Sequence, residues 1–194
     1  MNNSESTFQR YLQRIINDDS LNHHLQEIIN SFSLLTLNKN EFLVQKGKIC
    51  SFFCYLESGV LQHSIDVLDD EKTTYLALRN SCTSALKSFL QQTPSRKSIK
   101  ALSNCVLWSI DLDVFNSLIK NNPAFHQFYF NLIEKQIFLI DDYRIDLLTL
   151  TPEERYKKLL ENEPKLLLEV PLHYLASFLG ISNRHMTRIR KNIK

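Results

Sequence analysis

No run of residues in this sequence approaches the roughly 18 uninterrupted apolar positions of a membrane span, so no membrane partner is expected. The opening Met-Asn-Asn-Ser-Glu-Ser is polar and unlike a secretory signal, which makes a soluble, cytoplasmic protein the expectation. Cysteine occurs only as Cys50, Cys54, Cys82 and Cys105, with no Cys-x-x-Cys pair. That spacing argues against a zinc ribbon, a disulfide scaffold and an iron-sulfur cluster, and leaves buried free thiols as the expectation. Histidine is sparse too: His63 is the only one between Phe32 and Ile110. A metal-dependent enzyme of the cupin type needs several histidines and a carboxylate on neighbouring strands. That reading is set aside, and no metal, cofactor or catalytic residue is expected. His23 and His24 are adjacent and would point in different directions on a helix; His126 and His173 have no evident partner. Acidic residues are missing from two stretches, 72–110 and 182–194, and no internal repeat or low-complexity segment is evident.

What is present suffices for a core. Of the 194 residues, 43% are hydrophobic, and the length suits two small domains. From about Ser4 to Asn30 the pattern predicts two short amphipathic helices, with Phe8, Leu12, Ile15 and Ile16 on one stripe, Leu25, Ile28 and Ile29 on the other, and Ser20 as a cap. From Phe32 the period shortens. Short runs over 41–44, 52–56, 60–65 and 73–78 are rich in aromatic and β-branched residues, and Gln45-Lys-Gly47, Glu57-Ser-Gly59 and Asp69-Asp70 separate them. Residues 81–92 read as a short helical or looped piece, and strand character returns over 99–102 and 105–110. Several short strands at this spacing predict a compact antiparallel roll.

Asp111 is placed to cap a helix carrying Leu112, Phe115, Leu118 and Ile119, and Asn122-Pro123 has the composition of another helix start. The helix beginning there is predicted to run to about Leu148. Phe130, Ile133, Ile137, Ile140, Arg144 and Leu147 alternate steps of three and four, the spacing of a coiled-coil seam, while Phe125, Phe128, Leu132, Leu139 and Tyr143 lie off it. A helix apolar on two sides must be covered twice. One cover is the roll; the other is assigned to the same helix of a second copy, the alternative being a single buried helix in a larger core. Thr151-Pro-Glu-Glu154 fits a capping box, and 162–169 reads as a connector. The expected divisions are 1–122, 123–149 and 150–194.

The last stretch carries the most specific pattern. Leu172, Leu175, Ala176 and Leu179 form one helix stripe behind Pro171, Gly180 permits a tight turn, and Ser182 is placed to cap a second helix. In that helix Met186, Ile189 and Ile193 face inward, and Arg184, Thr187, Arg188 and Lys191 recur on the other side. This describes a helix-turn-helix, the alternative being an ordinary hairpin with a solvated charge face. Charge favours the first. Residues 182–194 hold five basic side chains and no acid, whereas the rest of the chain has 18 basic against 21 acidic.

A roll, a long seam helix and a terminal helix-turn-helix in that order resemble the Crp/Fnr (cyclic-AMP receptor) family of bacterial transcription regulators. The residues that carry the likeness are Lys46-Gly47, Glu57-Ser-Gly59, Pro94-Ser95 with 99–102, Glu154-Arg-Tyr156, the run 175–181 and Thr187-Arg-Ile-Arg190. The resemblance implies an α+β fold: a double-stranded β-helix of the cyclic-nucleotide-binding kind with helices, a dimerisation helix, and an all-α winged helix-turn-helix domain that enters the major groove. It also implies double-stranded DNA and a second copy as partners, with RNA polymerase as a further candidate. On it, Ser182, Asn183, Arg184, Thr187, Arg188, Arg190, Lys191 and Lys194 become the DNA-binding candidates, with base contacts from Asn183, Arg184, Thr187 and Arg188 and phosphate anchors from the last three.

Two departures matter. Family members that bind cyclic AMP place a glutamate on the ribose and an arginine on the phosphate, but 80–90 here contains no acid and Ser95 stands where the arginine is expected. Cyclic AMP is therefore not expected; Lys87, Arg96, Lys97 and Lys100 could favour another anion, with Lys87, Ser95 and Arg96 as the candidate effector pocket, against the alternative of a solvated basic surface. The family's Arg-Glu-x-x-x-Arg recognition pattern is replaced by Asn183-Arg-His-Met-Thr-Arg188, so a different operator is expected. With few residues after Arg190, a wing is expected across 164–170 or nowhere. The rival function is a roll that binds a protein or an anion without reading DNA.

Overall fold

The computed structural model describes residues 6–68, 70–162 and 164–192, and of Lys165 the backbone alone. Helix α1 (Thr7–Ile16) begins where the Ser6 hydroxyl accepts from the Gln9 amide and ends at Asn17 in the left-handed region. Its buried stripe of Phe8, Tyr11, Leu12 and Ile16 closes one end of the roll, with Phe8 stacked on Tyr55. A 3-10 turn (Asp19–His24) and α2 (Leu25–Ser31) follow. Ser20 is not the cap: the Asp18 carboxylate accepts from the Ser20 amide and hydroxyl, because an aspartate one position before the turn reaches both donors.

The roll consists of β1 (Ser33–Leu37), β2 (Phe42–Val44), β3 (Phe53–Ser58), β4 (Val60–Val67), β5 (Asp70–Leu78), β6 (Ser81–Thr83), β7 (Ser98–Ala101) and β8 (Cys105–Ile110), with α3 (Leu86–Gln91) between β6 and β7. Two antiparallel sheets, ordered β1-β8-β3-β6 and β2-β7-β4-β5, face each other across a core of Leu56, Leu61, Phe89, Ile99 and Leu107. The chain passes from one sheet to the other at Gly59, φ +94°, where an added Cβ would lie 2.6 Å from the Asn104 carbonyl oxygen; only glycine fits.

Two strands escape the sequence pattern. β1 is an edge strand with no fully buried residue, and β6, inside the stretch expected to be helical or looped, has only three residues.

Helix α4 (Leu112–Asn121) is capped by Asp111, whose carboxylate accepts from the Val114 amide, and α5 (Pro123–Thr149) by Asn122, whose side chain accepts from the Phe125 amide. Ala124, Phe125, Phe128 and Leu132 bury the first half of α5 against α1 and α4, in one core with the roll. Leu139, expected to face the same way, is instead 49% exposed, because beyond Leu132 the helix has left the roll behind. A reciprocal Thr151–Glu154 capping box starts α6 (Pro152–Asn162). The expected connector is helix α7 (Pro164–Glu169), started by a first-turn proline and seated by buried Leu166. A wing is therefore not found across 164–170, and among the described residues no strand follows β8. Helices α8 (Leu172–Phe178) and α9 (Asn183–Asn192) are the last described elements, and no helix of the described residues is long and apolar enough to cross a membrane.

Candidate nucleic-acid interface

The turn between α8 and α9 is built by local chemistry. Gly180, φ +70°, lies just past the end of α8, and the Gly180 amide donates to the Ser177 carbonyl while the Ile181 amide donates to the Ala176 carbonyl. These paired bonds form a Schellman closure, which needs a left-handed residue at the glycine position. The Ser182 hydroxyl then accepts from the His185 amide and caps α9. Leu175, Ala176, Leu179, Met186 and Ile189 are buried together, and small Ala176 lets the two helices meet.

That packing fixes what α9 shows to solvent. Asn183, Arg184, Thr187, Arg188, Arg190 and Lys191 are all exposed, as is Ser182. Arg184, Arg188 and Lys191 share one face over roughly 10 Å of helix, a length that fits a major groove about 12 Å wide. The Thr187 hydroxyl donates to the Asn183 carbonyl at 2.8 Å, which leaves its oxygen able to accept. Glu153 is occupied elsewhere: its carboxylate meets His185 Nε2 at 3.0 Å, which holds the acid below its ordinary range and ties α9 to α6. Lys194 lies outside the described residues.

The proposed effector residues do not share one environment. Lys87 and Arg96 are exposed, and Ser95 is buried with its hydroxyl donating to the Lys97 carbonyl and accepting from the Lys97 amide. The cation that turns inward is Lys97, whose Nζ lies 2.9 Å from Nδ1 of buried His63; His63 Nε2 meets the Thr83 hydroxyl at 2.7 Å. A lysine ammonium can only donate, so Nδ1 accepts and Nε2 carries the proton. Burial, and then the Lys97 charge, push the His63 pKa well below its ordinary value, and burial lowers that of Lys97. Among the described residues no carboxylate forms an ion pair with Lys97. Strand parity carried this signal: Lys97 shares its phase with inward Ile99 and Ala101, and His63 with inward Leu61.

The far half of α5 presents a broad apolar surface. Phe130, Ile137, Ile140 and Leu147 are exposed, Ile133 partly so, with Arg144 exposed among them. Phe138, Ile145 and Leu148, outside the seam spacing, are exposed as well, so the apolar area is wider than that spacing predicts.

Residues 34–122 match the family model described as the cyclic nucleotide-binding domain. No curated protein matches the chain closely enough to add to this. Among solved structures, FixK2 of Bradyrhizobium japonicum is similar with a TM-score of 0.72 at 12% identity, covering 84% of each chain. A CooA double mutant from Carboxydothermus hydrogenoformans has a TM-score of 0.67 at 15% identity, over 93% of this chain and 83% of that one. The catabolite activator protein of Thermus thermophilus has a TM-score of 0.58 at 17% identity, over 92% of this chain and 86% of that one. Identities this low speak to fold alone. The roll is therefore similar to the cyclic nucleotide-binding domain, and the chain as a whole has the fold of the Crp/Fnr-type regulators.

Proposed function

We propose that this protein is a homodimeric, sequence-specific DNA-binding transcription regulator that does not respond to cyclic AMP. The observation that carries the reading is α9: a capped helix whose inner face is filled by Met186 and Ile189 and whose outer face carries Arg184, Arg188 and Lys191 with no acid on the helix. Arg184, Arg188, Asn183 and Thr187 contact base edges, with Ser182 at the helix start; Arg190, Lys191 and Lys194 anchor phosphates. Arginine favours guanine and asparagine favours adenine, so the operator differs from that of an Arg-Glu-x-x-x-Arg helix. The second copy covers the apolar surface of α5 and doubles the reading surface, as operators with two half-sites require. Residues 123–149 are then the dimerisation segment between a sensor unit, 1–122, and a reading unit, 150–194.

Indifference to cyclic AMP rests on chemistry. The described segment 72–110 offers a ribose hydroxyl no carboxylate, and the inward cation, Lys97, is engaged with His63. An unmet ribose hydrogen bond costs about 1–3 kcal/mol.

Selection of bound duplexes from a random pool tests the reading. Enrichment of a two-half-site sequence, with cyclic AMP changing neither affinity nor melting temperature, is expected. Failure to enrich any sequence while the roll retains a protein or anion ligand would favour the interaction-module reading.

A further inference from the structure

The reading unit is joined to the roll by more than the chain through α5 and α6. Helix α8 lies on β5, an edge strand of its sheet. Pairing along β5 shifts between His63 and Ser64, which face Tyr75 and Thr73, so Thr74 is an extra residue. Such a bulge re-aims the strand next to it. The Thr73 amide donates to the Ser177 hydroxyl of α8 at 2.9 Å, and the Thr73 hydroxyl accepts from Gln62 Nε2 at 2.9 Å.

The next residue of α8 is held from another element. The Phe178 ring stacks on Tyr143 of α5, centroids 5.4 Å apart at 18°, and the Tyr143 hydroxyl donates to the Phe178 carbonyl oxygen at 2.8 Å. Between these contacts Val60, Leu76 and Leu102 of the roll share one buried cluster with Tyr156, Leu175 and Leu179. An apolar joint is non-directional and tolerates sliding. Two directional bonds to consecutive residues, one from β5 and one from α5, fix α8 in both position and rotation. The exposed face of α9 stays clear of the roll in this arrangement, so the joint does not cover the reading surface.

We propose that the Thr73–Ser177 and Tyr143–Phe178 contacts form an orienting clamp: they set the direction of α9 relative to the long helix, and hence the half-site spacing that two copies accept. The spacing part of this rests on the function proposed above; the rigid joint does not. Thr73, Ser177, Tyr143 and Phe178 are positioning residues that act through α9.

The test uses the full chain with Ser177→Ala, Tyr143→Phe and the double variant. Amide exchange at Thr73 and gel shifts are the two measurements, the shifts made on the duplex selected by the unaltered protein, on spacers one base pair longer and shorter, and on a single half-site. Tyr143→Phe touches neither Thr73 nor Ser177, yet it is expected to speed Thr73 exchange on the order of fivefold, because both bonds hold one body. The double variant is expected to lose on the order of tenfold in spacing discrimination with single half-site affinity unchanged. Unmoved Thr73 exchange in Tyr143→Phe, equal acceleration across β3 and β4, or full spacing discrimination in the double variant would each overturn the clamp. If the unaltered protein bound no duplex, the regulator reading would fail, and the exchange result would still decide whether the joint is rigid.

Discussion

Truncating one residue of the long helix should separate assembly from folding. Ile140 has 65% of its surface open in the single chain. Burying an isoleucine side chain fully is worth about 2 kcal/mol, so covering two thirds of it and then removing all but the Cβ forfeits about 1 kcal/mol per subunit. Two-fold symmetry counts that loss twice. Ile140→Ala should therefore weaken the dimer by about 2 kcal/mol, roughly thirtyfold in dissociation constant. Sedimentation equilibrium across a concentration series measures this directly. The subunit itself should be nearly unaffected, since Ile140 makes little contact within it. Leu132→Ala on the same helix is the contrast: that side chain is 6% exposed inside the core, and its loss should cost the fold about 2–5 kcal/mol. A dissociation constant unchanged by Ile140→Ala, or a loss of fold stability as large as that of Leu132→Ala, would refute the reasoning.

The remaining predictions concern the helix face and the roll interior. Arg188→Ala should cost about 1–3 kcal/mol on the selected operator and little on random duplex, read by competition gel shift. Lys191→Ala should weaken binding to all duplexes alike and reduce the slope of log affinity against log salt by about 1. His63 should make the fold acid-sensitive. Its folded pKa lies below the ordinary value of about 6.5, so the unfolded chain binds more protons between the two, and stability contributed above about pH 6.5 is lost as pH falls toward the folded value, at up to about 1.4 kcal/mol per pH unit. Denaturant titrations at several pH values should show this slope in the unaltered protein and a shallower one in His63→Gln; equal slopes would contradict it.

Much of the local structure was legible because its causes are local. The Asp111, Asn122, Thr151 and Ser182 caps and the Gly180 turn each depend on residues within a few positions, and each forms. Where the pattern failed, a distant partner or a short length decided the outcome. β1 is a strand because β8 pairs with it, although its own residues are half-exposed. Pro164 reads equally as a linker residue or a first-turn proline, and the run behind it made α7. In the site, charge and periodicity were enough to single out the exposed face of α9. They did not separate Lys97 from Lys87, Arg96 and Lys100; strand parity would have singled it out as the inward one. The Thr73–Ser177 bond joins residues 104 apart in sequence and leaves no local trace.

The most direct measurement is the affinity of the purified chain for its selected duplex against a scrambled duplex of the same composition, at one fixed near-physiological salt concentration. A preference on the order of a thousandfold or more is predicted, in line with specific readers of the major groove. Equal affinity for the two duplexes would contradict the assignment of α9 as a reading helix.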